Sequence, residues 1–539
     1  MAPKSHKKRG LLRKAARVGA TLVAARVAAD TGKKGVIGLL AVMSAVHSAG
    51  PPHVTKLSGQ IDKDTVWSGR VEVSNHVSVA AGVTLVIKPG TRVAFADGVG
   101  LSVHGQLLAE GTEDKPITLV PLGKLRPDAW RGVVLAPRSH ATAGGLPEGS
   151  RLSGCHIAGA LEGLSIIASA ASPHRVVACR FEKCERIGVR VEATSDVVVE
   201  GCQITHCGHV ERRPSGAIHV SHSRHCRIVD NVIEDCAAYG VQLYESSDNT
   251  VQGNTIKGIG GRSRKPDGMG ISLDTGSNRN LVLSNKVSGM NYMGLYIGDS
   301  AENLIIDNEL RNSPDGLGMS GPKSTRNIIR SNRIYGSWWG QIYFTSRAHD
   351  NLVQDLIVSG GDAGITMWYA GPNTFENCEF RGCGPIAFLG GVKVTFRRCK
   401  IQLGRGNDDL WTEFEPDCTL IDCNVRKDHI DFSKGTTKNS QIVFKRTFVV
   451  IVVDEATGKP VPGASVTATV TGKKPLAVTT DSVGRARLEL FEGTVGKDRG
   501  FEASGSYEVV VKANGFAPAQ PLSIEPTSPT TTLRVSLKR

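Results

Sequence analysis

Three carboxylates, Glu245, Asp274 and Asp299, each stand just behind a short run of alternating apolar residues. The basic residues Arg262, Arg264 and Lys265 fall between the first two. Two acids about 5 Å apart would suit retaining hydrolysis of a glycosidic bond. A base with a cation would instead suit removal of a proton beside a sugar carboxylate, the cation neutralising the developing charge. Glu245, Asp274, Asp299 and Lys265 are therefore the catalytic candidates, with Arg264, Tyr244, His219 or His349 able to supply parts. A second reading stays open: Asp274-Thr-Gly and Asp299-Ser are ordinary turn sequences, and the offsets of the acids behind their strands differ by one residue.

Aromatic residues gather around the same segments. Tyr239, Tyr292, Trp338 and Trp339 precede or nearly precede a recurring Gly, and Tyr244, Tyr296, Tyr343, Trp368 and Tyr369 lie on or just after the strand that follows it. By parity Tyr296 and Gln242 point outward. Sugar rings stack on such faces, which offer rigid apolar area with a polar edge. The substrate-binding candidates are Arg262, Arg264, Tyr244, Tyr296, Trp338, Trp339, Tyr343, Trp368 and Tyr369. The competing reading puts some of these rings in a wide core.

What must position these residues is a repeat. Cys155, Cys179, Cys202, Asn231, Asn254, Asn285, Asn308, Asn332, Asp355, Cys378, Cys399 and Cys423 each open one tripeptide: small polar or Cys, any residue, then apolar. Most gaps are 23 or 24 residues, with long gaps of 29 and 31. A fixed period in this range means a solenoid. A Gly with an alternating segment runs in step, as at Gly188-Val-Arg-Val, Gly240-Val-Gln-Leu and Gly294-Leu-Tyr-Ile, and strict alternation reads as strand. Each repeat is then one rung of two or three strands, stacked at about 4.8 Å on the next. A stacked Asn tolerates left-handed backbone and bonds its copy above and below. Cys184, Cys207 and Cys236 form a second short column, read with the first as small stacked hydrophobes.

The long gaps place extra residues at about 208–215 and 259–267 on one edge, carrying Arg212, Arg213, Arg262, Arg264 and Lys265. Loops leaving a rigid scaffold are where solenoids bind, and Arg matches carboxylate and sulfate geometry. The bland alternative is a pair of solvated loops.

On these repeats the chain resembles the right-handed parallel β-helix, pectate-lyase-like superfamily over roughly residues 60 to 435. Trp67-Ser-Gly-Arg-Val, Val83-Thr-Leu-Val-Ile-Lys-Pro-Gly-Thr-Arg-Val-Ala-Phe, Lys115-Pro-Ile-Thr and Trp130-Arg-Gly-Val resemble the first coils of secreted members. The resemblance implies the fold and leaves the activity open, because the fold hosts lyases, hydrolases, epimerases, adhesins and accessory proteins. One branch assists copper delivery to a periplasmic reductase. Here His206, His209, His219, His222 and His225 cluster on two rungs, but their spacing is not a known site, so no metal is assigned. The cofactor stays unassigned; Ca2+ is the candidate, and no ligand set for it is legible.

The net charge of +14 is concentrated at the start, where residues 1 to 34 hold ten Lys or Arg and one acid. The remaining +5 forms no continuous stripe, and nucleic-acid binding is not inferred. The basic stretch leads into an apolar run from Gly35 to Val46 and then small residues, the order of a secretory signal. The run is short for a span of about 20 residues, so any membrane contact is expected through this segment alone.

The period fades after Val425. Phe448-Val-Val-Ile-Val-Val-Asp, Tyr507-Glu-Val-Val-Val-Lys-Ala and Thr532-Leu-Arg-Val-Ser-Leu then read as strands of a sandwich. Gly458-Lys-Pro-Val-Pro-Gly-Ala-Ser-Val, Thr480-Asp-Ser-Val-Gly-Arg-Ala and Ala513-Asn-Gly-Phe resemble the carboxypeptidase-regulatory-like sandwich, which implies an accessory module.

The expected architecture is all-β, a right-handed parallel β-helix solenoid followed by a small β-sandwich. Its parts are a basic leader at 1–49, capping coils at 50–150, repeats at 151–435, a linker at 436–446 and the sandwich at 447–539. The expected role is extracellular or periplasmic, on a polysaccharide partner: a lyase, epimerase or hydrolase on an acidic glycan, or a non-catalytic adhesin using the same strip. A metal-delivery accessory protein is a lesser alternative. Oligomeric state is left open.

Overall fold

The computed structural model describes residues 54–136, 149–168, 173–209, 214–261, 267–402, 408–433 and 436–539. Its regular structure is strand, with no helix among the described residues. Up to Asp417–Ile421 the strands pair in parallel with strands of neighbouring rungs. Each repeat has three strands. Val197–Glu200, Gln203–Thr205 and Gly216–Ser221 pair respectively with Arg227–Val229, Val232–Glu234 and Tyr239–Tyr244 on the next rung. Three parallel stacks enclose one continuous core of Val, Ile, Leu and Phe. The stack of six-residue strands, from Glu162–Ile167 to Gly340–Thr345, is called the long stack below.

The corner between the two short strands is made by two residues with separate tasks. The sequence reading gave Asn both tasks. In the structure the left-handed residue is the one before it: Asp230, Ser284, Asp307 and Ser331 have φ of 54, 55, 54 and 57°. The Asn supplies the bonds. Asn254 Oδ1 accepts from Asn231 N at 3.0 Å and from its Nδ2 at 2.9 Å, and Asn285, Asn308 and Asn332 repeat the pattern. A second ladder, absent from the sequence reading, runs through Asn249, Asn280, Asn303, Asn327, Asn351 and Asn373. A third uses hydroxyls of Ser223, Ser246, Ser277, Ser300 and Ser324. These amides are fully buried, and the ladders satisfy them where water cannot reach.

One assigned column residue shifts. Asp355 is the left-handed residue of its rung, at φ 53°, and Leu356 occupies the column. The twelve cysteines are free, and all but Cys423 are buried.

Residues 441–446, read from the sequence as the end of a linker, begin a continuous strand, Gln441–Asp454. It pairs in parallel with the last solenoid strand, Asp417–Ile421, and antiparallel with Arg485–Gly496. Beyond it Leu476–Thr479, Ser465–Thr469, Tyr507–Lys512 and Leu522–Ile524 form a four-stranded antiparallel sheet. Phe448, Val466, Leu488 and Val509 belong to a second core there.

Candidate functional site

The pleat of the long stack decides what faces outward. Val189, Ile218, Val241, Ile271 and Leu295 turn into the core on successive rungs. Their next neighbours therefore form an outer column: Arg190, His219, Gln242, Ser272, Tyr296, Gly318, Tyr343 and Thr366 in register. Two residues further along, Glu192, Ser221, Tyr244, Asp274, Gly298, Ser320, Thr345 and Trp368 form a second column.

Polar groups in these columns join into a relay. The Gln242 amide donates from Nε2 to Asp274 Oδ2 at 2.8 Å, and the Ser272 hydroxyl donates to the same oxygen at 2.8 Å. Gln242 Oε1 is thereby left as the acceptor for His219 Nδ1, 3.0 Å away. This assigns the proton of the neutral imidazole to Nδ1 and the lone pair to Nε2. His219 is only 8% exposed. Burial, helped by the Arg190 charge, holds its pKa down at about 4 against the bond to Gln242, so it is neutral at pH 7. A groove of about 540 Å³ opens over this relay, with Pro214, Tyr239, Tyr244 and Thr275 among its walls.

Arg190 borders the same groove. Its guanidinium lies 3.3 Å from Glu162 Oε1 and also pairs with Glu192. Glu162 takes a further contact from Arg186 at 3.2 Å and the Ser165 hydroxyl at 2.7 Å. The Arg190 charge is thus shared with two carboxylates. Its Nε is a buried donor with no acceptor among the described residues.

The sequence-selected acids separate. Asp274 ends its strand and enters the relay. Glu245 and Asp299 sit one position beyond, in left-handed turns at φ 47 and 43°. Glu245 is exposed and lies 2.9 Å from His222 Nε2. Asp299 accepts the Lys323 amide at 3.1 Å. Tyr244 packs edge-on to His222 with ring centroids 6.1 Å apart. His349 pairs with Asp350 at 2.7 Å, away from the long stack. Lys265, Arg262, Arg264, Arg212 and Arg213 lie outside the described residues.

The aromatics occupy the middle and both edges of the face, where one strip was expected. Tyr296 and Tyr343 stand half-buried in the outer column on either side of Gly318. A Cβ at Gly318 would meet Met293 Sδ at 2.2 Å and the Tyr296 ring at 3.4 Å, so Gly leaves that ring uncovered. Trp338 and Trp339 are exposed before the strand Gly340–Thr345. Trp368, the last residue of the strand Ile365–Trp368 and in register with Thr345, stacks at 6.5 Å on Tyr369 just beyond it. Six residues of extended chain put the two pairs roughly 20 Å apart.

Two further elements were not selected from the sequence. Arg190 is one, and His219, named from the sequence only as a possible accessory, is placed beside it by register: Ala217 occupies the rung position of Gly188 and Gly240, as the pairing of Val189 with Ile218 and of Ile218 with Val241 requires. Asp315 gave no periodic signal. It lies buried between Met293 and Gly340, and burial raises its carboxyl to about 6 despite an amide bond from Gly340.

A family model described as the right handed beta helix region matches residues 131–287 and 269–407. No curated protein matches this chain. Among solved structures, a mutant of a periplasmic alginate epimerase aligns at 13% identity and TM-score 0.34, covering 70% of this chain and 76% of that one. A double-mutant tailspike protein of E. coli bacteriophage HK620 aligns at 10% identity and TM-score 0.39, covering 82% and 78%. The A-module of an Azotobacter vinelandii mannuronan C-5 epimerase aligns at 11% and 0.27, covering 69% and 91%. The two family matches together take in more than half of the chain, which belongs to the right-handed β-helix family.

Proposed function

We propose that the outward face of the long stack binds an acidic polysaccharide, and that His219 moves a proton on it. The observation that carries this reading is the relay: a neutral imidazole, fixed in one tautomer by Gln242 and Asp274, beside an open groove. A fixed Nε2 lone pair can take a proton from bound substrate or from water. Arg190, whose guanidinium is partly exposed on the groove, would hold a sugar carboxylate. Tyr296, Tyr343 and the exposed aromatic pairs would seat further sugar units along the face. The reaction class is lyase, epimerase or hydrolase on a uronate-rich glycan, in an exported protein, with Lys265, Arg262 and Arg264, outside the described residues, as further carboxylate-binding candidates. The terminal module, with its own sheet and core, fits a carboxypeptidase-regulatory-like sandwich that caps the solenoid.

A second reading, a non-catalytic surface adhesin, is favoured by one observation. The Arg190 charge is already shared by Glu162 and Glu192, and a histidine held near 4 is a weak base. The two readings part on a panel of uronate-rich and neutral polysaccharides, scored for unsaturated uronate, reducing ends, exchange of the C5 proton and binding. Any product that His219→Ala abolishes supports the enzyme. Binding with no product supports the adhesin.

A further inference from the structure

A groove of about 590 Å³ lies where the last solenoid strands meet the strand Gln441–Asp454, far along the chain from the long-stack relay. Three arginines from three segments line it: Arg398 from a solenoid corner, and Arg446 and Arg487 from neighbouring strands of the terminal module. Their donors are largely unspent. Arg398 gives Nε to Asn377 Oδ1 at 2.8 Å, with Glu376 at 4.0 Å. Arg446 gives one N–H to the Ser528 carbonyl at 2.8 Å. The exposed Arg487 side chain has no hydrogen bond or ion pair with a described residue. A guanidinium carries five N–H donors, so most remain available.

The acids lining the same groove, Asp422 and Glu492, offset only part of the charge of Arg398, Lys445, Arg446 and Arg487. Asp422 accepts the Thr447 amide at 2.8 Å and bonds its hydroxyl. Glu492 is buried, 2.7 Å from Lys427 Nζ. Glu492 is thus neutralised by Lys427, whereas the exposed Asp422, bonded to neutral donors, keeps its charge. The groove therefore presents guanidinium forks, with Lys445 beside them, over an apolar patch from the half-buried Val449.

We propose that this junction is a second binding site, for the carboxylate-bearing units of an acidic oligosaccharide. Planar guanidinium forks match carboxylates bidentately. A groove of this size with apolar lining holds a ligand larger than an inorganic ion. The site is separate from the long-stack face and does not require that face to be catalytic.

Arginine-selective modification of the full chain by phenylglyoxal, read peptide by peptide, tests it. Tetragalacturonate, its methyl-esterified neutral counterpart and inorganic sulfate serve as protectants. Tetragalacturonate is expected to slow modification of Arg487 at least fivefold. Half-protection should come at a concentration roughly tenfold below that of sulfate, as one extra charge-assisted bond implies. The neutral oligomer should give no protection, and Arg398→Gln should shift the tetragalacturonate curve about tenfold while His219→Gln leaves it unchanged. Unslowed modification of Arg487 overturns the proposal. Equal protection by sulfate overturns it in favour of a plain anion site, and equal protection by the neutral oligomer overturns the role given to charge.

Discussion

Asp274 holds the imidazole of His219 without touching it. Its carboxylate fixes the Gln242 amide at 2.8 Å, and the Gln242 carbonyl then fixes His219 Nδ1 at 3.0 Å, across three successive rungs. An amide does not pass a proton along, so Asp274 orients the ring and takes no proton from it. Nitrogen NMR should show neutral His219 as the Nδ1-protonated tautomer. Gln242→Leu should leave a tautomer mixture and cut any turnover about tenfold or more, with substrate binding little changed. An unchanged tautomer in that variant would remove the relay from the account.

Stability against pH offers a separate check, because two buried groups act in opposite directions. His219 drops from 6.5 to about 4, so the unfolded chain binds more protons between these values and stability rises with pH there. Asp315 rises from 3.8 to about 6, so the native chain binds more protons and stability falls with pH over nearly the same window. Each effect is roughly 3 kcal/mol, and together they nearly cancel. Urea unfolding across this window should therefore show His219→Gln losing stability as pH rises and Asp315→Asn gaining it. Parallel pH profiles for the two variants would contradict the burial of both groups.

The Asn ladders should be costly to interrupt in the middle. Asn285 accepts two bonds from Asn254 and donates to the Val251 carbonyl and Asn308. Asn285→Ala strands buried donors on one side and acceptors on the other, a loss of about 3 kcal/mol or more. The ladder ends naturally where Leu356 takes the column beyond Asn332, so Asn332→Leu should cost less than Asn285→Leu. Denaturant midpoints of the two variants measure this directly.

The aromatic pairs at opposite edges predict a dependence on ligand length. Trp339→Ala and Trp368→Ala should each weaken a long oligosaccharide about threefold to tenfold. A ligand too short to bridge roughly 20 Å should feel only one of the two substitutions. Calorimetric titration with a length series separates these outcomes. Equal sensitivity at every length would mean that the pairs do not share one ligand.

The solenoid was legible because Asn and Cys recur at one structural position, and a 23-residue period survives any choice of surface residues. The second Asn ladder was missed because Asn249 and Asn280 stand in turn-like sequence, where Asn needs no special reason. The site was less visible. Gln242 was read as outward, and Tyr296 likewise, since strand parity is local. The alignment of Arg190, His219 and Gln242 depends on register between rungs, and one extra residue at Gly216 displaces it. Glu245 and Asp299 resembled Asp274 in spacing, yet one residue moves a side chain from strand to left-handed turn. The continuous strand through 441–446 was hidden because Lys445, Arg446 and Thr447 break the apolar alternation at a bulge.

The most direct test of the long-stack reading is a product assay of the full chain on polyuronates in deuterated water, beside His219→Ala. Deuterium at C5 or an unsaturated uronate is expected with the unaltered chain, reduced at least about a hundredfold by the substitution. Product formed equally by both proteins would contradict the role given to His219. Polyuronate binding with no product from either would leave the face as an adhesive surface.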